Sequence, residues 1–90
     1  MEFEWDPAKA ARNEANHGVS FKEAATVFGD PLSMAFDDPA HSYDELRALL
    51  VGMSDEQRVL IVSYTERGDT IRIISARETT RGERETYENG

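Results

Sequence analysis

Ninety residues make one domain, of a size that buries only about 60–65% of its unfolded surface, so intrinsic stability is modest, and in chains of this size partner binding often adds to it. The hydrophobic share of 39% is low and the charged share of 31% is high, but the apolar residues fall in patterned segments, which argues against a disordered chain. No apolar run approaches the ~18–20 residues of a membrane span, the absence of cysteine excludes disulfides and thiolate metal sites, and a net charge of −8 excludes a diffuse electrostatic grip on a polyanion.

The chain opens on Met1-Glu2-Phe3-Glu4-Trp5, without the basic stretch and apolar run of a secretory signal, so a cytoplasmic protein is expected. Phe3-Glu4-Trp5 alternates as a short strand does. Asp6-Pro7 reads as a helix cap followed by proline at the first helical position. The helix that follows is expected to place Ala8, Ala11 and Ala15 on one face, with Lys9, Arg12, Asn13 and Asn16 on the others, and Gly18 stops it. Ser20 and Glu23 have capping-box spacing, and Phe21, Ala24, Ala25 and Phe28 form the apolar stripe of a second helix. Gly29-Asp30-Pro31 ends that helix, residues 32–36 read as a strand, and Asp37-Asp38-Pro39 closes it.

Antiparallel sheet is expected from there on: strands over 47–52, 58–65 and 70–76, with turns at 53–57 and 66–69. Residues 77–88 read as a helix of good formers interrupted by Thr79, Thr80 and Gly82. The order β-α-α-β-β-β-β-α predicts an α+β domain with two N-terminal helices and one C-terminal helix packed on one face of an antiparallel four- to five-stranded sheet.

The chain lacks a phosphate-cradling glycine loop, an HExxH motif, a nucleophile elbow and cysteine, and two histidines cannot make a histidine-rich metal cluster. Any enzyme built from it works with Arg, Lys, His, Tyr and carboxylates, and no metal or other cofactor is expected. Residues 1–57 hold 12 acidic and 4 basic side chains, a net of −8, whereas residues 58–90 hold 6 of each, and every base there is arginine. A local positive surface from the C-terminal arginines therefore survives the overall charge. Arg72 stands in an apolar strand on the face opposite Ile71 and Ile73, and must reach solvent or an anion, because an unpaired buried guanidinium costs several kcal/mol. With Arg77 just beyond the strand end, the two guanidiniums can flank one phosphodiester and stabilise the added charge of its transition state. The alternative for Arg72 is a solvent-facing sheet position.

Arg77, Arg81 and Arg84 have the i, i+4, i+7 spacing of one helix face, which suits an anionic ligand or a protein partner. The competing reading is a solvated helix laced by pairs such as Glu78–Arg81 and Arg84–Glu88. The segment His41-Ser42-Tyr43-Asp44-Glu45-Leu46-Arg47 gathers an imidazole, a phenol, carboxylates and a guanidinium at a loop-to-strand junction. Cleavage of RNA by its own 2′-hydroxyl needs a base for that hydroxyl and an acid for the leaving 5′ oxygen; His41 or Glu45 fits the first role and Arg47 the stabilisation of charge, although a polar turn has the same composition. His17, in the last turn of the first helix, either takes a catalytic or RNA-contacting role or interacts with the helix C-terminus. Tyr64 offers a hydroxyl or a base-stacking ring if it lies on the open sheet face.

Phe3-Glu4-Trp5-Asp6-Pro7-Ala8-Lys9-Ala10, Asn13, His17-Gly18-Val19-Ser20-Phe21 and Glu23-Ala24 resemble the N-terminal signature of BrnT-family toxins. Val27 to Pro31, His41-Ser42, Glu45, Arg47, Gly52, Tyr64 to Gly68, Ile71 to Arg77, Glu83-Arg84 and Tyr87 continue the likeness in order along the chain. The resemblance implies a RelE-like fold and a ribosome-independent ribonuclease that slows growth. It also implies neutralisation by a BrnA-type antitoxin, whose DNA-binding domain lets the complex repress its own operon. DNA is then met only through the antitoxin, and no membrane is involved. The resemblance draws attention to His17, His41, Glu45, Arg47, Arg72 and Arg77, the catalytic candidates; beside these, Lys9, Tyr64 and Arg81 are the expected RNA contacts, and Arg81, Arg84 and Tyr87 of the polar last helix the expected antitoxin contacts. Family members commonly carry lysine before the His-Gly pair, where this chain has Asn16. That departure and the acidic charge keep open a second reading, a weak or inactive toxin homologue that acts as an antitoxin-binding regulatory module.

Overall fold

A computed structural model describes residues 1–38 and 46–90. The element order is β1 (Glu2–Glu4), α1 (Pro7–His17), α2 (Phe21–Thr26) continued by a 3-10 turn (Val27–Gly29), β2 (Met34–Asp37), β3 (Arg47–Met53), β4 (Val59–Arg67), β5 (Thr70–Glu78) and α3 (Arg81–Asn89). The five strands form one sheet in the order β1-β5-β4-β3-β2. Four of them are antiparallel neighbours, as expected, but β1 runs parallel to β5, so the sheet is mixed. Tight turns force antiparallel pairing only on consecutive strands, and β1 and β5 lie at opposite ends of the chain.

Helix α1 begins and ends as its sequence dictates: the Asp6 carboxylate accepts from the Ala8 N–H at 2.8 Å, and Gly18 takes φ 67° to close the C-terminus. Its packing face differs from the alanine face expected. Ala8, Ala11 and Ala15 are exposed, and the helix docks instead through Ala10 and Asn13. The Asn13 side chain accepts from the Ala76 N–H at 3.1 Å and donates to the Ala76 carbonyl at 2.8 Å and to the Val19 carbonyl at 2.9 Å. It thus satisfies one β5 residue as a neighbouring strand would, beyond the point where the short β1 stops. Alanine has too little surface to compete with three buried hydrogen bonds as an anchor.

Phe21, Ala24 and Val27 of the second helical segment pack with Val19 on Leu50, Leu60, Val62, Tyr64, Ile71, Ile73 and Ala76 of the sheet. Ser20 caps α2 through the Glu23 N–H, but the Glu23 carboxylate does not complete a capping box. It turns inward, only 8% exposed, to the Ser54 hydroxyl and to Arg58. Arg58 also donates to the Gly18 carbonyl at 3.0 Å, so one ion pair clamps the turn between α1 and α2 to the start of β4.

Strand β5 runs on to Glu78, longer than its apolar run suggests, because Arg77 and Glu78 still pair with Ile61 and Leu60. The last helix therefore starts later, with Thr80 as its cap in a complete capping box with Glu83. Arg77 belongs to the strand and shares no helix face with Arg81 and Arg84. Nor does α3 lie with the other helices. None of its residues is buried, and Glu83 meets Arg77 on the sheet face opposite the core. With no apolar stripe to offer the core, α3 is tied down by that ion pair and by the Tyr87 hydroxyl, which donates to Asp30 at 2.6 Å.

Candidate functional site

The face of the sheet turned away from α1 and α2 is ordered by strand register. Arg47, Thr65, Arg72 and Glu4 form one cross-strand row, Leu49, Ser63 and Ser75 the next, and Val51, Ile61 and Arg77 the third. A bulge makes this possible. Ser63 pairs with Ser75 but Tyr64 pairs with Ile73, leaving Ile74 as an extra residue in β5. In an unbroken strand, residues five apart point to opposite faces. The extra residue brings Arg72 and Arg77 onto the same one.

A cleft of about 440 Å³ lies over this face, lined by His17, Asp38, Arg47, Leu49, Ile61, Ser63, Ile74, Ser75, Ala76 and Arg77. That volume is within the range of small-ligand sites. By register, the two serines occupy the middle row, with Arg47 and Arg77 on rows to either side of them. His17 enters from the C-terminus of α1, which Asn13 holds against Ala76 and Arg58 holds through Gly18. Two guanidiniums, an imidazole, a carboxylate and two hydroxyls thus border one open cavity.

Arg77 is not idle within it. Its two terminal nitrogens meet the two Glu83 oxygens at 2.8 and 2.9 Å. The Glu83 carboxyl is drawn down to about 2, first by its hydrogen bonds from Arg77, then by the Thr80 N–H, with burial opposing. The fork geometry that would grasp a phosphate is occupied by a carboxylate of the protein's own last helix. Glu23 is likewise held below its usual range, mainly by the Arg58 hydrogen bond, against its burial. At Asp30 burial works upward, but donations from the Met53 and Leu32 N–H groups and from Tyr87 hold the carboxyl down, while Tyr87, bonded to that carboxylate, is pushed up to about 12.

Of the residues singled out from sequence, His17, Arg47 and Arg77 meet in the cleft. Arg72 points to the same face but is bonded to Glu4 at 2.6 Å and is not part of the lining, so Arg72 and Arg77 do not border one cavity in this arrangement. His41 and Glu45 lie outside the described residues. Lys9 is exposed on α1, away from the cleft. Tyr64 is not on the open face: it is 6% exposed, its ring set edge-on to Phe28 at 5.0 Å, and burial pushes its phenol up. Its even-numbered position in β4 places it with Val62 and Leu60 on the core side. Arg81 and Arg84 are exposed and pair with Glu85 at 3.4 Å and Glu88 at 3.3 Å, the solvated-helix arrangement, and Tyr87 is engaged by Asp30.

Sequence reasoning missed Asp38, Ser63 and Ser75 in the lining, and Asn13 and Arg58 as the residues that position His17. Ser63 and Ser75 carried a signal, since each interrupts a run of apolar strand residues. Arg58 carried none, because its partner is 35 positions away.

The family model described as ribonuclease toxin, BrnT, of type II toxin–antitoxin system matches residues 5–83. Among solved structures, the chain is similar to the crystal structure of the Brucella abortus ribonuclease toxin BrnT, with a TM-score of 0.71 and 21% identity, over 90% of this chain and 99% of that one. At that identity the likeness is one of fold. No curated protein matches the chain.

Proposed function

The chain belongs to the BrnT family of ribonuclease toxins of type II toxin–antitoxin systems, and from that premise we propose that it cuts RNA in the cleft bordered by His17, Arg47 and Arg77. The observation that carries this reading is the convergence of two guanidiniums and an imidazole, from β3, β5 and α1, on one open face. A phosphodiester over Ser63 and Ser75 has Arg47 and Arg77 to either side, and their charge stabilises the dianionic phosphorane formed when the 2′-hydroxyl attacks. His17 transfers a proton at the attacking or the leaving oxygen, with His41 or Glu45 the candidates for the complementary role. Arg72, a row away, binds a neighbouring phosphate once it leaves Glu4. Neither the chemistry nor these side chains call for a metal, so the endoribonuclease is proposed to be metal-independent.

Type II membership brings an antitoxin as partner. We take it to be BrnA-like, to cover the toxin through Arg81, Arg84 and Tyr87 of α3, and to give the complex its DNA binding and autoregulation. Among the described residues no helix is long and apolar enough to cross a membrane, and the proposed place of action is the cytoplasm. A second reading has its own support: the Glu83 carboxylate already fills the Arg77 fork, and the chain is acidic by 8 charges. In that reading the protein is a weak toxin that persists as an antitoxin-binding regulator.

Induction of the chain alone in bacteria separates the two. The ribonuclease reading predicts growth arrest with loss of intact RNA within minutes, relieved by Arg77→Ala in a protein that still accumulates folded. Normal growth with abundant soluble protein would transfer the assignment to the regulator.

A further inference from the structure

The open face continues past the arginine cleft. Across the strands, the row of Ser75, Ser63 and Leu49 extends to Phe36, and the row of Arg77, Ile61 and Val51 extends to Met34. There a second cleft of about 190 Å³ is lined by Met34, Phe36, Val51, Ile61, Glu83 and Thr86, with Ile61 common to both clefts. Phe36 is 46% exposed. It is the only exposed aromatic ring among the described residues: Phe21 and Tyr64 are buried, Phe3, Trp5 and Phe28 pack on the core, and Tyr87 is half-buried on Asp30. By register it stands two strand spacings from Ser63, roughly 10 Å.

From this juxtaposition we infer that Phe36 is a stacking platform for an unpaired base next to the scissile phosphate, which makes single-stranded RNA the substrate class. The inference rests on the ribonuclease reading and adds a specificity residue to it. The two clefts share Ile61, so a chain whose phosphate sits between Arg47 and Arg77 can lay a neighbouring base on Phe36. A flat ring flanked by aliphatic side chains accepts the face of any base and only when that base has left its own stack. Along the far wall, the Thr86 hydroxyl donates to the Gly82 carbonyl and the Glu83 carboxylate receives from Arg77, so both present only acceptors to a bound base.

The test compares wild type with Phe36→Ala, Phe36→Leu and Phe36→Tyr on a single-stranded oligoribonucleotide and on the same oligonucleotide annealed to its complement. Binding is measured in parallel with a non-cleavable 2′-O-methyl version carrying 2-aminopurine beside the cleavage site. The platform predicts a KM raised about five- to hundredfold in Phe36→Ala and Phe36→Leu, the range of a lost base–aromatic stack, with kcat far less changed. It also predicts rescue in Phe36→Tyr, slow cleavage of the duplex, and a change in 2-aminopurine emission on binding that only the aromatic variants retain. Cleavage by wild type with equal KM in all four proteins would overturn the platform while leaving the ribonuclease intact. Absence of cleavage by wild type would fail the ribonuclease reading itself, and the binding arm would then decide the platform alone. Loss of antitoxin affinity in Phe36→Ala with unchanged RNA binding would assign the second cleft to protein docking and overturn it equally.

Discussion

Asn13 shows how one side chain decides where a functional group stands. Its amide satisfies both backbone groups of Ala76 and the Val19 carbonyl, and is 6% exposed. Asn13→Ala leaves three polar backbone groups buried without partners, each of which costs about 1–3 kcal/mol when unsatisfied, tempered by water entry and relaxation. A total loss of about 2–4 kcal/mol is expected in urea unfolding, and Asn13→Asp, which keeps the acceptor but sets a buried carboxylate against two carbonyl oxygens, should lose at least as much. A loss below about 0.5 kcal/mol would mean that α1 is held by something else. From sequence, Asn13 looked like one polar residue among several on α1, since nothing local reports that a strand 63 positions away needs a partner. Tyr64 misled for a related reason. A tyrosine in a strand between a serine and a threonine gives no sign of its face until the register is known.

At the scale of elements, the caps of α1 and α2, the stop at Gly18 and the hairpin sheet were readable, because each rests on residues adjacent in sequence. The boundary between β5 and α3 was not. Arg77 and Glu78 have good helix propensity, and only the ladder to Ile61 and Leu60 keeps them extended. The bulge at Ile74 is equally silent in sequence, yet it decides that Arg77 faces the cleft. Helix α3 then acts on the site through Glu83. Glu83→Gln removes the charge that holds Arg77 and should raise affinity for a single-stranded oligoribonucleotide severalfold, measured by fluorescence anisotropy at low salt. It should also steepen the salt dependence, since one more cation becomes available to a phosphate. Unchanged affinity and salt slope would mean that RNA and Glu83 do not compete for Arg77.

The whole molecule combines an acidic surface with carboxylates that folding holds ionised. Glu23 and Glu83 both have carboxyls lowered by hydrogen bonds from arginine, Glu83 from the usual 4.5 to about 2. A depressed carboxyl contributes stability that is fully present above its ordinary value and is lost as pH falls through its folded value. Stability from these two groups should therefore be flat above about pH 5 and decline from about pH 4.5 toward pH 2. Glu23→Gln with Glu83→Gln should lower stability at pH 7 and flatten that acid decline. An equally steep decline in the double variant would place the acid sensitivity elsewhere. The same charge distribution explains why composition alone spoke against a nucleic-acid enzyme. A net charge of −8 describes the whole chain, whereas the proposed site depends on a few guanidiniums gathered on one sheet face.

The proposed function requires that the cleft of Arg47 and Arg77 cut RNA through the 2′-hydroxyl without a metal. Its most direct measurement is incubation of the purified chain with an end-labelled single-stranded oligoribonucleotide in EDTA, beside the same strand carrying a 2′-deoxy residue at the cut. Arg77→Ala, with folding checked by circular dichroism, is run alongside. Expected are cleavage in EDTA to a 2′,3′-cyclic phosphate and a 5′-hydroxyl, no cut at the deoxy position, and a rate at least about 100-fold lower in Arg77→Ala, as for removal of a charge-stabilising donor. Cleavage by a folded Arg77→Ala protein at the wild-type rate, or cutting of the deoxy position, would contradict it.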